Sequence, residues 1–437
     1  MANTYLTRTP SSAGNRRTFT ISTWVKRSSI ASGSKTIFGI GNSSSSTSDA
    51  DWFSLAFNGS TNRIRSVQYN TVIFDSNRLF RDTSAWYHIV YAVDTTQGTA
   101  SDRVKVYING VQETSFATVN YPSQNYDFVV NTTVPHMIGR EDGNGSGYFD
   151  GSMSYVALVD GTAELPTIFG ETDSVTGQWK IKTDITPSVA WGTNGFLILK
   201  NGNSLTDEST NSNNFTLGGG TLTNTLDCPD NVFATFNSLA RFPVAPTYSN
   251  GNTRVVGTDF ANQRTGGTFA AKSGKFYFEV KTQGSVSLGG STVGIADYDS
   301  INISGSAAWI GGDSNFIGYY GSGTLKSLND DNYNDYGTLN VGDIIGFAFD
   351  IDNGFAYISR NGVWVNSGDP TSGVTGTGNV NRSGNINYNF AGKLMGIAGG
   401  FQGSDSPVSN FGNGYFGTSA VTSAGTAGST PGTFEYD

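Results

Sequence analysis

The stretch DIIGFAFDIDNGFAYISRNGVW, residues 343–364, decides the fold class of this 437-residue chain. Apolar and small side chains alternate along its first half, which is the period of a β-strand with one face in a core. Four apolar residues share that face: Ile345, Phe347, Phe349 and Ile351. Gly346 and Ala348 stand between them, and they are small enough for a further layer to pack closely against the opposite face.

Two Asn-Gly pairs interrupt this alternation. Asn353 with Gly354, and Asn361 with Gly362, supply the positive φ angles that two-residue hairpin turns need. The stretch therefore predicts strand, turn, strand, turn and strand in succession.

The same pattern recurs along the chain. RTFTISTWVKR, WYHIVYAVD and DRVKVYINGVQ near the N-terminus, and GKFYFEVKT and STVGIAD in the second half, are short runs bounded by turn residues. No segment keeps a helical apolar period free of Gly, Pro and β-branched runs. Many short strands with turns between them favour antiparallel β-sandwiches over a parallel sheet with crossover helices.

Composition and charge exclude several classes of protein. Aromatic residues are 13% and charged residues 14% of the chain, the opposite of a disordered protein, so sizeable cores are expected. The net charge is −9 without a Lys/Arg cluster, so nucleic acid is not an expected partner. Cys228 is the only cysteine, which excludes an intrachain disulfide. Without a membrane-length apolar stretch or a secretion signal, we expect a chain made in a cytoplasm, with no membrane insertion.

The chain is long enough for two or three domains. The hairpin pattern occupies residues 1–165 and 253–417. Residues 166–252 are richer in Pro and in polar tracts such as TDESTNSNNFTLGGGTLTNT, and we interpret them as an ordered connector with a few strands, not as a third core. Residues 418–437 are mostly small and polar, as in a tail that is mobile unless it docks.

Both hairpin regions resemble known families. Residues 1–165 resemble a concanavalin A-like laminin G domain in FTISTWVK, WYHIVYAVD, VKVYINGV and YFDGSMSYVALVDG, and residues 253–417 resemble a SPRY domain in SGKFYFEV, VGIAD, GDIIGFAFDIDNGFAYISRNG and VSNFGNGYFG. The connector, in FGETDSVTGQWK, GTNGF, NSNNFT and CPDNVFATFN, resembles segments that join such domains in proteins of tailed, especially marine, bacteriophages. Those proteins often continue beyond the FEYD with which this sequence ends. The resemblance implies an all-β fold of two antiparallel β-sandwiches, a laminin G-like jelly roll followed by a SPRY sandwich.

The sequence contains no catalytic signature, so we expect neither enzymatic activity nor a cofactor. Glycoside hydrolases need two carboxylates around the sugar bond, but Asp350 and Asp352 run into an Asn-Gly turn, as a solvated strand end that caps the turn would. His88 lies in an apolar strand, where a structural imidazole is expected, and His136 follows Pro135 at a strand start.

One Gly-rich loop is a candidate calcium site. GREDGNGSGYFDG contains four hard oxygen donors: Glu141, Asp142, Asn144 and Asp150. Their spacing matches no fixed calcium-loop signature, and a polar turn flanked by glycines is the alternative interpretation.

Four aromatic residues are candidates for contact with a ligand or a protein partner: Trp52, Trp309, Tyr319 and Tyr320. Trp52 follows the polar run GNSSSSTSDAD, and Trp309 lies in a loop-rich stretch. Each either stacks on a sugar ring, anchors a protein or closes the edge of a core. Tyr319 and Tyr320 are adjacent, so only one of them faces inward in a strand.

The resemblance to bacteriophage proteins implies a virion protein, present in several copies and exposed on the particle surface beside other virion proteins, and the lack of a catalytic signature predicts that it is non-enzymatic. We favour a tail fibre or spike component that binds a host-surface glycan or protein through sandwich loops. The alternative is a capsid decoration or knob protein, which would explain why the sequence has no coiled-coil shaft or repeat. A glycan-degrading enzyme would require a paired-carboxylate cleft.

Overall fold

The chain forms two compact units, Met1–Asn224 with Cys228–Asp230 and Thr225–Asp227 with Asn231–Asp437. The computed structural model describes residues 3–30, 32–41, 52–141, 146–241, 246–257, 263–283, 291–299, 316–320, 324–327, 333–335, 337, 339–382, 387–401, 407–424 and 432–436. Within these ranges every helix is a three-residue 3₁₀ turn, and every strand pairing is antiparallel. The all-β fold class is confirmed.

The described strands of the first unit are β1 (Tyr5–Arg8), β2 (Thr18–Arg27), β3 (Ser34–Ile40), β4 (Phe53–Asn58), β5 (Arg63–Gln68), β6 (Thr71–Ser76), β7 (Trp86–Asp94), β8 (Val104–Ile108), β9 (Val111–Gln112), β10 (Phe116–Val119), β11 (His136–Ile138), β12 (Gly151–Asp160), β13 (Gly170–Thr172), β14 (Trp179–Ile181), β15 (Phe196–Ile198) and β16 (Thr216–Gly219). Its 3₁₀ turns are Ala100–Asp102, Pro166–Ile168 and Thr186–Ser188.

The described strands of the second unit are β17 (Phe236–Arg241), β18 (Thr247–Ser249), β19 (Arg254–Val256), β20 (Gln263–Ala271), β21 (Lys275–Lys281), β22 (Thr292–Asp297), β23 (Phe316–Tyr320), β24 (Thr324–Ser327), β25 (Tyr333–Asp335), β26 (Ile344–Asp350), β27 (Phe355–Arg360), β28 (Val363–Trp364), β29 (Met395–Phe401), β30 (Val408–Asn410), β31 (Tyr415–Phe416) and β32 (Ser419–Ala420). Its 3₁₀ turns are Val365–Ser367 and Gly373–Thr375.

The first unit is a sandwich of an eight-stranded and a six-stranded sheet. Their orders are β10-β6-β5-β4-β3-β11-β1-β16 and β15-β12-β2-β7-β8-β9. In β7, Ile89 and Tyr91 belong to the core between the sheets, whereas Val90 and Ala92 belong to a second apolar cluster on the outer face. The near-continuous apolar run of this strand therefore reflects burial on both faces.

The outer face of the six-stranded sheet is covered by residues 166–191. Phe169, Ile185 and Trp191 from this segment pack with Val90 and Val159 of the sheet. Segment 166–191, which the sequence analysis assigned to the connector, thus forms a third layer over this sandwich.

The other strands of the predicted connector extend sheets in both units. β15 pairs with β12 and β16 with β1 in the first unit, whereas β17 pairs with β20 and β18 with β19 in the second. The chain passes from one compact unit to the other at residues 224–231.

The second unit contains two seven-stranded sheets, β17-β20-β29-β22-β23-β24-β25 and β18-β19-β30-β21-β26-β27-β28. The prediction for the stretch that opened the sequence analysis is confirmed for its apolar face, since one core cluster includes four of its residues: Ile345, Phe347, Phe349 and Ile351. On the opposite face Gly346 leaves room for Tyr277, whose hydroxyl would lie 2.5 Å from a Cβ at that position.

The two Asn-Gly turns differ from each other. Arg360 pairs with Val363, and Asn361 and Gly362 have φ angles of 48° and 78°, so the second pair forms the predicted two-residue turn. The prediction for the first pair was wrong, because Asp350 pairs with Phe355 across a four-residue loop in which Gly354 alone has a positive φ.

Asp350 explains the longer loop. Its carboxylate accepts hydrogen bonds from the Asn353 backbone N–H at 3.0 Å and from the Asn353 side chain at 2.8 Å. Asp352 accepts instead from the Gly274 N–H at 3.0 Å. Both carboxylates cap backbone as predicted, but Asp350 is 2% exposed and so is not the solvated strand end that the sequence suggested.

Among the described residues, none of the helices has the length and apolar character that crossing a membrane would require.

Gly354 and Gly373 provide a matched test of this loop. Both have positive φ, but a Cβ at Gly373 would meet open space, whereas one at Gly354 would lie 2.6 Å from the Ala391 backbone nitrogen. We expect Gly373→Ala to lower the free energy of unfolding by about 1 kcal/mol through backbone strain, and Gly354→Ala by about 2–4 kcal/mol through strain plus overpacking. Hydrogen exchange of β26 and β27 measures the loss of stability in each variant. Equal losses in the two variants would contradict the loop geometry around Gly354.

Candidate functional site

The outer face of the eight-stranded sheet in the first unit carries the partly exposed aromatic and charged side chains of the candidate site. Phe53 and Ile64 face the core, so their neighbours Trp52, Arg63 and Arg65 face outward. The site comprises five residues at or next to β4, β5 and β6, which we call the β4–β6 surface: Trp52, Arg63, Arg65, Tyr69 and Asp75.

Trp52 and Tyr69 form the aromatic end of the β4–β6 surface. The Tyr69 N–H donates to the Trp52 carbonyl at 2.8 Å, one step beyond the pairing of Phe53 with Gln68. Tyr69 has a φ of 55° in the two-residue turn between β5 and β6, and its side chain is 39% exposed. Trp52 is partly exposed. Two aromatic side chains therefore stand at neighbouring positions with surface available for contact.

Arg63, Arg65 and Asp75 form the charged end. Arg65 lies directly opposite Asp75 across β5 and β6, and Thr118 of the edge strand lies opposite Asp75 on its other side. Burial raises the pKa of Asp75, while Arg63 and Arg65 oppose this shift. The two arginines attract the Asp75 carboxylate electrostatically, and one polar atom of each of the three side chains has no hydrogen-bond partner among the described residues.

Three atoms of this cluster are shielded from solvent and lack hydrogen-bond partners among the residues that the structure describes: Arg63 Nε, Arg65 Nε and Asp75 Oδ1. Such groups are rare in folded proteins because each costs about 1–3 kcal/mol. The three side chains as a whole are half-buried, so their guanidinium and carboxylate groups lie at the surface beside the aromatic end.

The neighbouring strip of the same face is covered by the loop that contains the candidate calcium ligands. Gly39 of β3 lies beneath the carbonyl groups of Arg140 and Glu141, where a Cβ would have no room. The Arg140 guanidinium packs over the rings of Tyr5 at 4.5 Å and Tyr148 at 5.7 Å. This loop therefore borders the β4–β6 surface on the β3 side.

The predicted calcium ligands are only partly described. The Glu141 carboxylate accepts from the Ser34 hydroxyl at 3.5 Å, and that of Asp150 accepts from Ser29 at 2.7 Å. Asp142 and Asn144 lie outside the described residues. Within the described ranges no group of three or more His, Cys, Asp or Glu side chains is placed to hold a metal ion. The calcium site stays a prediction.

Of the other predicted contact residues, Tyr319 faces inward. It is 5% exposed, packs in the core of the second unit and lines a cavity of about 50 Å³ beside Val293 and Phe347. Its burial rules out the surface role for this side chain. Tyr320 follows it in β23, but its side chain and all of Trp309 lie outside the described residues.

His88 is structural, as the sequence predicted. It is fully buried between the rings of Trp24 and Trp179, with centroids 4.7 and 5.9 Å away. The Trp179 indole N–H donates to His88 Nδ1 at 3.0 Å, so Nε2 carries the proton and donates to Ser22 at 3.0 Å. Burial lowers the pKa of His88 to about 3.

His136 has the opposite tautomer. Its Nδ1–H donates to the Val134 carbonyl at 2.8 Å, while Nε2 accepts from the Asn131 N–H at 3.1 Å. Burial, helped by the charge of Arg8, lowers the pKa of His136 to about 4. Both imidazoles are neutral and enclosed, and neither borders the β4–β6 surface described above.

Sequence reasoning found Trp52 but missed Tyr69, Arg65 and Asp75. The turn between β5 and β6 consists of Tyr69 and Asn70 and contains no glycine, so the usual hairpin signal is absent. The alternation of Arg63, Ile64 and Arg65 in RIRSVQ was the available signal.

Comparisons with known proteins agree with these folds. Residues 2–168 match the family model of the concanavalin A-like lectin/glucanases superfamily. The match ends within the segment that covers the six-stranded sheet, and strands β15 and β16 lie beyond it. No curated protein matches the chain.

Solved structures similar to the chain include SPRY and lectin-like domains. The SPRY domain of human HERC1 has 12% identity, covers 40% of this chain and 96% of its own, and has a TM-score of 0.29. A heptameric SAP-like pentraxin from Limulus polyphemus has 16% identity, with coverages of 37% and 71% and a TM-score of 0.26. Domain 4 of the arabinanase AbnA from Geobacillus stearothermophilus, in complex with arabinotriose, has 23% identity, coverages of 37% and 68% and a TM-score of 0.26. These likenesses concern the fold alone.

The two histidines predict that the first unit loses stability as the pH falls. Their folded pKa values lie below the unfolded value of 6.5, so the unfolded chain binds more protons as the pH falls and the first unit loses stability. At pH 5 each histidine lowers the free energy of unfolding by about 2 kcal/mol relative to pH 7.5.

Hydrogen exchange of β2 and β7 at pH 7.5 and 5, corrected for intrinsic rates, measures this change. The second unit contains no histidine and serves as the internal reference. We expect His88→Gln to remove about half of the change in the free energy of unfolding between pH 7.5 and pH 5, whatever the stability of the variant at pH 7.5. An unchanged pH dependence in this variant would show that His88 is charged when folded.

Proposed function

We propose that this chain is a non-enzymatic surface protein of a bacteriophage particle that binds a host-surface glycan through the β4–β6 surface. The observation that carries the proposal is the position of Trp52 and Tyr69 on the same hairpins as Arg65 and Asp75, which places aromatic rings beside a guanidinium and a carboxylate on one surface. The lectin/glucanase-like sandwich, a fold that can bind carbohydrate, supports it.

The chemistry of this surface fits a sugar chain. An aromatic ring stacks on the apolar C–H face of a sugar, while a guanidinium donates hydrogen bonds to its hydroxyl oxygens and a carboxylate accepts them from its hydroxyl groups. Arg65 and Tyr69 are four residues apart in the chain, which spans about 13 Å along a strand. A ligand that contacts both ends is therefore an extended oligosaccharide, not a single sugar.

Strand positions also lower the cost of binding. All five residues lie in or directly beside paired strands that pack on the core, so little conformational entropy is lost on association. Several copies on one particle would convert weak single contacts into avidity.

A tail fibre or spike is the location that host binding favours. A capsid decoration protein is the second candidate, and it is supported by the absence of any helix longer than three residues in the described ranges, since a coiled-coil shaft would need one. Counting chains per purified particle separates the two: a few copies at the tail support a fibre, and one copy per capsid lattice position supports decoration.

Binding of bacterial envelope polysaccharide tests the glycan proposal directly. With purified host lipopolysaccharide and capsular polysaccharide as probes, we expect Trp52→Ala and Arg65→Ala each to weaken binding about tenfold or more, because each removes a contact from a small interface. Val175→Ala is the control, since Val175 is 91% exposed in the layer over the other sheet.

Two results would overturn the proposal. One is an intact chain that binds none of the envelope polysaccharides, and the other is Trp52→Ala binding them as tightly as the control variant. Release of reducing sugar from the same probes would overturn the non-enzymatic assignment.

A further inference from the structure

Glu279 is a buried carboxylate at the centre of the outer face of a second-unit sheet. It has no exposed surface, and β21 places it between Tyr277 and Lys281 on the face opposite the core. Its carboxylate accepts hydrogen bonds from the Tyr277 hydroxyl at 3.1 Å and the Asn410 amide at 3.5 Å. These two donors alone would leave a buried charge poorly satisfied, which is costly.

The missing donors come from residues 432–436, which we call the docking segment. The Glu435 N–H donates to the Glu279 carboxylate at 2.9 Å and the Tyr436 N–H at 2.7 Å. Two successive backbone N–H groups on one carboxylate are a specific arrangement, because the segment must run in one direction and one register to make both bonds.

The docking segment is recognised along its whole length. Thr433 donates its N–H to the Gly412 carbonyl at 2.9 Å and accepts from Asn410 at 2.8 Å. Phe434 is 6% exposed and meets the Tyr277 ring edge-on at 4.9 Å. The Glu435 carboxylate accepts from the Thr422 N–H at 2.7 Å.

Tyr436 completes the contact by packing over Gly362. A Cβ on Gly362 would lie 2.6 Å from the Tyr436 ring, so only glycine accommodates the tyrosine there. We call the surface around Glu279 that receives the docking segment the Glu279 groove; it is formed by Tyr277, Glu279, Gly362, Asn410 and Gly412.

The residues that join the docking segment to the rest of the unit have no side chains that the groove could recognise specifically. Between Ser423 and Thr433 the sequence is AGTAGSTPG, which contains no large apolar or charged side chain. Such a composition offers the groove no side chain to recognise between these two residues. The affinity therefore resides in the segment and groove themselves.

We propose that the Glu279 groove is a peptide-binding site that also accepts residues 432–436 of a second copy of this chain. When the docking segment of one copy binds the groove of another, it makes the same contacts as it does within its own chain. Which segment occupies a groove therefore depends on the effective concentration of the chain's own segment relative to the concentration of other copies. For a short flexible linker the effective concentration is on the order of millimolar, so exchange becomes significant where copies are held close together.

A complementation experiment with two full-length variants tests this inference. Phe434→Ala weakens the docking segment and keeps the groove, whereas Glu279→Gln keeps the segment and replaces a carboxylate acceptor by an amide. We expect each variant alone to be monomeric by light scattering at about 100 µM, and an equimolar mixture to form a heterodimer, because one supplies the groove and the other the segment. The wild-type chain, closed on itself, is expected to stay mostly monomeric.

A peptide assay covers the case in which a variant does not fold. In an otherwise wild-type chain, residues 425–431 are replaced by a protease site of equal length, and cleavage after folding leaves the segment held only by its contacts. A labelled GTFEY peptide should then exchange into the groove at least tenfold more tightly than a GTAEY control. Failure of the mixture to dimerise together with no GTFEY binding at 1 mM would overturn the inference, irrespective of whether the chain binds glycan.

Discussion

The rest of this structure depends on one constraint: some of its sheets have apolar or buried side chains on both faces, and both faces must be covered. A two-layer sandwich buries only one face of each sheet, so a sheet such as β15-β12-β2-β7-β8-β9, with Val90 and Val159 on its outer side, requires a third layer. Residues 166–191 supply that layer in the first unit. In the second unit the docking segment covers Glu279, so both sandwiches use chain beyond their own strands to finish a sheet.

This constraint also determines which surfaces are available for function. In the first unit one sheet is covered by this third layer, whereas the outer face of the opposite sheet carries Trp52, Tyr69, Arg65 and Asp75 at its partly exposed β4–β6 surface. His88, in contrast, is enclosed by the third layer through Trp179, and its imidazole serves as a hydrogen-bonded packing element. Burial under a neighbouring segment thus distinguishes polar residues that stabilise the fold from polar residues that stay accessible to a ligand.

Local pattern predicted the strands and several of the turns well. The alternation in β26 placed its apolar residues in the core, and Asn361 and Gly362 made the expected turn, because period and turn chemistry are local properties. The same reasoning failed at Gly354, where hydrogen bonds from Asn353 to the Asp350 carboxylate stabilise a longer loop. It also failed to place Tyr69 in a turn, since the register of β5 and β6 overrides the weak turn preference of its residues.

The sequence by itself determined an all-β chain without disulfides and the inward face of strands such as β26, because these follow from side-chain period and composition, and its resemblance to two families implied the two antiparallel sandwiches. Only the tertiary structure decided that Tyr319 faces the core, that Arg65 stands opposite Asp75, and that residues 432–436 dock on Glu279. Strand register and the docking of distant segments bring together residues far apart in the chain. Their positions depend on the free energy of the whole packed unit and not on any local pattern.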